Sequence, residues 1–152
     1  MYEGPGLRVH PPVVYLLAIL AGVGLQLLWP IRVLPGWWGV VAGSLLSAVG
    51  TAIFPAVVSR FRRARTAFDP HKPASALITD GPYRFSRNPA YVTLTLWHLG
   101  IGLILNNAWI LVLVIPPVLV MDRWAIPREE RHLAEKFGAE YLRYKARVRR
   151  WL

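Results

Sequence analysis

The chain has 152 residues, 55% of them hydrophobic, with a formal net charge of +10. That length allows one domain, read here over residues 1–152, and so apolar a composition argues against an ordinary soluble fold and for a membrane-embedded one. The absence of cysteine excludes disulfides, thiolate chemistry and a cysteine-based zinc site.

Four apolar blocks follow in chain order, at residues 13–29, 37–58, 90–105 and 109–126. The first lacks a basic run before it and an A-x-A-like site after it, so it reads as a retained helix and not as a cleaved signal. The second holds no charge and is long enough for the ~20 residues that span a bilayer. The other three are shorter: tilted or thinning spans, or, for the last two, a helical hairpin closed by Asn106 and Asn107. Buried helices of a soluble bundle are the alternative, against which the length and all-round apolarity of the second block weigh. Pro55, Pro116 and Pro117 lie inside two of these blocks, where a membrane helix kinks and neighbours satisfy the freed carbonyls. Several of the seven tryptophans and six tyrosines stand at block edges, as interfacial belts require.

The cations set the orientation. Residues 60–89 hold seven Lys or Arg and residues 123–152 hold nine, whereas the connector near Arg32 holds one and the Asn106 turn none. Four spans with both termini cytoplasmic satisfy the positive-inside bias, with a bacterial inner membrane as the expected location. The surplus charge is thereby topological, and juxtamembrane basic clusters attract anionic lipid headgroups. Nucleic acid is not an expected partner, because the cations flank apolar spans and no recognition motif accompanies them.

On the cationic side the loop RFRRARTAFDPHKPASALITDGPYRFSRNPAY is punctuated by Pro70, Pro73, Gly81, Pro82 and Pro89, so it is shaped and not slack. Asn88 and Pro89 read as the N-cap and first position of a helix, with Tyr83, Arg84, Arg87 and Tyr91 crowded at its mouth. A helix N-terminus beside an arginine is a ready site for a carboxylate or phosphate. After the fourth block Pro127 opens a further helix with Glu129 and Glu130 in its first turn, where acids complement the helix dipole. Leu133, Phe137, Tyr141, Tyr144, Val148 and Trp151 then form one helical stripe. Glu130 begins on that stripe, a costly place for a carboxylate unless a cation such as Arg87 or a ligand hydroxyl meets it. The remainder of the helix, rich in Arg and Lys, lies at the membrane surface with its apolar stripe down. The fold class is therefore all-α: a polytopic membrane protein of about four transmembrane helices and a C-terminal amphipathic cytoplasmic helix.

Of the histidines, His98 lies within a membrane helix, either bonding a neighbouring helix, the favoured reading, or lining an acceptor tunnel. His71 falls on the loop and is expected to be solvated, and His132 stands three residues from Glu129, at pairing distance on a helix. No common spacing points to a metal. The Gly22/Gly24 and Gly39/Gly43 pairs hint at close helix contacts, the second being a G-x-x-x-G match, and oligomeric state stays open.

Over residues 60–152, in the order Thr66, Pro70, GPYRFSRNPAY, DRWAIPREERHL and FGAEYLRYKARVRRWL, the chain resembles the isoprenylcysteine carboxyl methyltransferase-like integral membrane methyltransferases, in particular their small bacterial members. Arg87, Asn88, Pro89 and Tyr91 stand where that family has R-H-P-x-Y, and Glu129, Glu130 and Leu133 where it has E-E-x-x-L. The resemblance implies S-adenosylmethionine as methyl donor, held by Tyr83, Arg87, Asn88, Pro89, Tyr91, Glu129, Glu130 and Leu133, with Arg87 and Glu130 as the catalytic pair. Three departures stand out: Asn88 for the histidine of eukaryotic enzymes, Thr93 for a common glycine, and Asp122 where bacterial relatives have asparagine.

The donor's carboxylate, ammonium, ribose, adenine and sulfonium want a cation, an anion, an acceptor, an apolar slot and an electron-rich wall. Arg87, Glu130, Glu129, the Leu133/Phe137 surface and Tyr91 or Tyr83 are residues of those kinds, without a fixed pairing. Methyl transfer is an in-line displacement, so alignment can supply much of the acceleration. A carboxylate acceptor needs no base, and no strong base candidate stands out for a thiol or amine. The expected activity is methyl transfer to a lipophilic carboxylate, amine, phenol or thiol. The alternatives are a nicotinamide-dependent membrane reductase related to sterol reductases and a non-catalytic lipid-binding protein.

Overall fold

The computed structural model describes residues 10–66 and 75–152, and every regular element among them is helical. The expectations for Pro70, His71 and Pro73 lie outside the described residues. Helix α1 (Pro11–Leu28) starts on two prolines, tolerated because first-turn N–H groups have no intrahelical partner. Helix α2 (Trp38–Arg63) carries Pro55 inside it and ends on Arg60, Arg62 and Arg63, cations that complement the negative end of the dipole. A single 3-10 turn (Gly81–Arg84) leads to α3 (Pro89–Ile104). After the Asn106 turn come α4 (Ala108–Val112), α5 (Ile115–Val120), a π turn (Met121–Ala125) and α6 (Ile126–Arg147).

Three stretches are long and apolar enough to cross a membrane, Pro11–Leu28, Trp38–Arg63 and the run Ala108–Arg147, with α3 as a shorter apolar helix among them. At 1.5 Å per residue α3 reaches ~24 Å, less than the ~30 Å of a hydrocarbon core. Only 17% of the α1 and α2 windows is buried inside the molecule, while Leu16, Leu20, Leu27, Leu45 and Val49 face outward. A soluble bundle would leave that apolar surface in water; lipid removes the penalty, and the protein is an integral membrane protein.

Helices α2 and α3 meet backbone to backbone. A Cβ added at Gly39 would fall 2.6 Å from the Leu103 carbonyl oxygen, and one at Gly43 would fall 2.5 Å from that of Gly100. The G-x-x-x-G pair is therefore taken up within the chain, on α3, as small residues are where membrane helices must approach closely. Gly22 likewise abuts Ile110 of α4, whereas Gly24 faces open space.

On the side away from the basic loop the two asparagines close the α3–α4 hairpin as their turn chemistry predicts. Asn106, at φ 48°, accepts from the Val33 and Leu34 amides at 2.8 and 3.0 Å and donates to Leu34 O at 2.7 Å. Asn107 accepts from the Ile110 amide at 3.1 Å, capping α4, and donates to Gly22 O at 3.1 Å. His98, fully buried, bonds through Nε2 to Ile110 O at 2.8 Å and meets the Tyr15 ring edge-on, so it joins α3, α4 and α1 as a helix partner.

Three local expectations are corrected. Pro127 does not open a free helix: α5, the π turn and α6 run on with helical dihedrals at Ala125 and Ile126. Proline leaves a carbonyl one turn back without its N–H, and in the wider turn just before it Ile126 N–H reaches Met121 O, five residues back. Glu129 and Glu130 are thus not at an exposed dipole end. The Asn88 side chain does not cap α3, although Pro89 is its first residue and Asn88 O accepts from the Tyr91 and Val92 amides. Lastly, the helical stripe stops short of Val148 and Trp151. Gly138 breaks the dihedrals at φ 51°, and Val148 is extended, so residues 148–152 form a strap.

Replacing Gly43 by valine is expected to cost about 1–3 kcal/mol through overpacking against Gly100. Gly24→Ala, at an open helical position, should be neutral or mildly stabilising. Thermal unfolding in detergent, followed by helicity, compares the two.

Candidate active site

The polar chemistry of the loop and of α6 converges at the start of α3. Glu130 is buried and meets three cations: Arg87 Nη2 at 3.1 Å, Lys145 Nζ at 3.0 Å, and Arg150, whose Nη2 and Nε donate to its two oxygens at 3.2 and 3.3 Å. Burial alone would raise the pKa of this carboxyl, but hydrogen bonds from Arg150 and Lys145 and the charge of Arg87 hold it below the usual range. The sequence expectation that a cation such as Arg87 offsets a buried Glu130 is met, with two further cations that it did not name.

Glu129, next in sequence, has the opposite surroundings. It points to Tyr91, whose hydroxyl donates to Glu129 Oε1. Burial pushes its pKa up to about 7, aided by the charge of Glu130 and opposed by the Tyr91 hydrogen bond. A carboxyl titrating near neutrality was not legible in the sequence, since its cause is burial and not neighbours in the chain. Tyr83, on the 3-10 turn, is pushed up by burial and by the charge of Glu129, and its carbonyl accepts from Tyr144 at 2.8 Å.

Arg87 is nine-tenths buried. One nitrogen serves Glu130; among the described residues its Nε and Nη1 are buried without a hydrogen-bond partner. Its amide donates to Arg149 O at 2.9 Å, and Asn88 Nδ2 donates to Arg150 O at 2.9 Å, so the strap lies across the α3 mouth. Pro89 is buried as the first residue of α3, and Leu133 sits half-buried on α6, one turn beyond Glu129. Tyr83, Arg87, Asn88, Pro89, Tyr91, Glu129 and Glu130 are thereby gathered at one end of the bundle. His132 is buried on α6.

Residues not singled out from sequence complete the cluster: Lys145, Arg150 and Ser86, whose hydroxyl accepts from the Asn88 amide at 3.1 Å. Asp122 pairs with Arg123 at 3.5 Å, and Arg150 Nη1 at 3.3 Å and the Trp151 indole N–H at 2.9 Å also reach it. A run of Arg-Arg-Trp after a helical stripe is the one signal that could have drawn notice. No group of side chains suited to hold a metal ion exists among the described residues.

A helical membrane protein with a buried and a half-buried acid, a buried arginine side chain and tyrosines at one end of its bundle is the class that fold and site define. A model of the phospholipid methyltransferase family matches residues 38–140, and the chain belongs to that family. The chain is 31% identical over 139 residues to protein-S-isoprenylcysteine O-methyltransferase A of Arabidopsis thaliana, covering 86% of this chain and 68% of that protein. It is 48% identical over 64 residues to an uncharacterised protein of Haemophilus influenzae, covering 41% of this chain and 98% of that protein. Protein-S-isoprenylcysteine O-methyltransferase of Saccharomyces cerevisiae is 38% identical over 72 residues, covering 47% of this chain and 30% of that protein. No solved structure matches the chain. The protein is an S-adenosylmethionine-dependent membrane methyltransferase, as the resemblance of its motifs implied.

The neighbouring glutamates should respond oppositely to neutralisation. Glu130→Gln takes their shared carboxylate from Arg87 and Lys145, leaves Arg150 with Asp122 alone, and is expected to cost about 3–5 kcal/mol. Glu129→Gln replaces a carboxyl that burial already disfavours as an anion, and should leave the fold as stable as before or more so. Detergent-solubilised unfolding at neutral pH measures both.

Proposed function

We propose that the mouth of α3 holds the amino-acid end of S-adenosylmethionine and that the methyl passes to a lipophilic acceptor reaching the site from the bilayer. One observation carries the reading: Arg87, paired with Glu130, keeps two buried donor nitrogens unpartnered among the described residues, and the next residue along from its partner, the half-buried Glu129, has no cation on it among their hydrogen bonds and ion pairs. A carboxylate fits the first and an ammonium the second, which is the pattern of an α-amino acid zwitterion. Glu130 fixes the guanidinium of Arg87 in place, and Tyr91 fixes Glu129.

S-adenosylmethionine supplies an electrophilic methyl on a sulfonium, with a neutral thioether as the leaving group. The chain's part is to align and to exclude water, for which well-oriented groups contribute about 7–11 kcal/mol. Tyr83 and Tyr91 offer electron-rich faces at the mouth, and Asn88 serves where an imidazole stands in eukaryotic relatives. The acceptor is a lipophilic carboxylate, amine, phenol or thiol. The isoprenylcysteine specificity in the names of two relatives and the phospholipid in the family's description both favour a membrane-borne one. The family match weighs for methyl transfer over nicotinamide reduction. The whole chain acts as one domain, with its cationic end in the cytoplasm against anionic headgroups, as the charge distribution favours.

Calorimetric titration of detergent-purified protein with S-adenosylhomocysteine tests the reading. Saturable binding that Arg87→Ala weakens by at least about tenfold, with helicity intact, is expected for loss of a charge-assisted pair of hydrogen bonds. No binding by a folded wild type would sink it.

The pH dependence follows from Glu129. An ammonium needs the ionised carboxylate, so affinity should rise as pH increases through about 7 and level off above. Glu129→Gln should flatten that rise, and titrations repeated across neutral pH read it out.

A further inference from the structure

We infer that Arg150 is a positioning residue, which, clasped by Asp122 and Glu130, holds residues 148–152 across the start of α3 and thereby sets the register of Arg87 and Asn88. The inference rests on the donor site proposed above, because Arg87 and Asn88 matter here as its walls.

The clasp has three parts. The guanidinium of Arg150 bridges two acids, Glu130 through Nε and Nη2 and Asp122 through Nη1, all between 3.2 and 3.3 Å. Trp151 donates its indole N–H to the same Asp122 oxygen at 2.9 Å and packs on the core of Tyr15, Tyr91, Met121, Ala125 and Ile126. The strap's backbone then meets the site directly: Arg149 O accepts from the Arg87 amide, and Arg150 O from Asn88 Nδ2 and, at 3.4 Å, from the Ser86 hydroxyl. Both carbonyls bonded to the α3 start thus flank the side chain that the acids hold.

Asp122 belongs to the π turn. An extra residue per turn rotates what precedes it by roughly 100° relative to an α-helix continued from α6. The bulge therefore aims Asp122 along the Glu130 side of the run, and the two acids present themselves to one guanidinium. Glu130 retains Arg87 and Lys145 when Arg150 is removed, so the clasp can be opened without orphaning the buried carboxylate.

The test combines S-adenosylhomocysteine titration with amide hydrogen exchange over residues 83–95, on wild type, Arg150→Gln, Asp122→Asn, the double variant and Arg150→Lys. Arg150→Gln is expected to weaken binding about tenfold and to speed exchange at the Arg87 amide while the unfolding midpoint hardly moves. Asp122→Asn keeps an acceptor for Trp151 and should lose less. The double variant should be no worse than Arg150→Gln alone, since both open one clasp. Arg150→Lys, with the charge but not the fork, should fall between wild type and Arg150→Gln.

Wild-type affinity and exchange in Arg150→Gln would overturn the inference, as would additive losses. Tighter binding in Arg150→Gln would overturn it too, by making the strap an obstruction. Should Arg150→Gln fail to fold, Asp122→Asn and Arg150→Lys decide alone, and wild-type behaviour in both overturns it. A wild type that binds nothing refutes the donor-site reading instead, a result distinct from any failure of the clasp.

Discussion

The buried carboxylate of Glu130 is the point on which the cytoplasmic end of this protein depends. Removing a carboxylate from water is favourable only when cations replace the solvent, and Glu130 has Arg87, Lys145 and Arg150. Each comes from a different place in the chain: the loop before α3, the far end of α6, and the strap. One charge thereby ties three segments that no apolar contact alone would register. The pairing also frees the rest of Arg87 for a ligand, because the guanidinium is held by one edge and the other edge stays unpartnered among the described residues.

The membrane part follows a different rule. Lipid offers no hydrophobic drive between helices, so α2 and α3 associate where glycine allows their backbones to touch. Side chains that would form the interior of a soluble protein are turned outward to lipid. The polar groups kept inside are few and bonded helix to helix, as with His98 to Ile110 O and Asn107 to Gly22 O. The His98 bond ties α3 to α4, and the position of the first turn of α3 decides where Arg87 and Tyr91 stand.

Much of this was legible in the sequence, and the reasons are specific. The apolar blocks and the Asn106–Asn107 turn carry local or compositional signals, and the structure agrees with both. The motif residues at 87–91 and 129–130 were visible as unusual chemistry beside a membrane. What could not be read is whatever depends on contacts distant in sequence. The G-x-x-x-G pair suggested a close contact but not that α3 answers it. Pro127 reads as a helix start because proline favours first turns, yet a π turn lets the helix pass through it. Glu129 and Glu130 are identical in type and adjacent, and only burial on one and the three gathered cations on the other give a raised pKa and a lowered one.

The order in which the cations of Glu130 leave the ribosome has its own consequence. Arg87 is made before Glu130, while Lys145 and Arg150 come after it. Until those two are made, the glutamate has only one of its three counterions, and its buried site is incomplete. The polar mouth can therefore close only after the strap has been made, whereas the glycine contacts between α2 and α3 need nothing later in the chain than α3 itself.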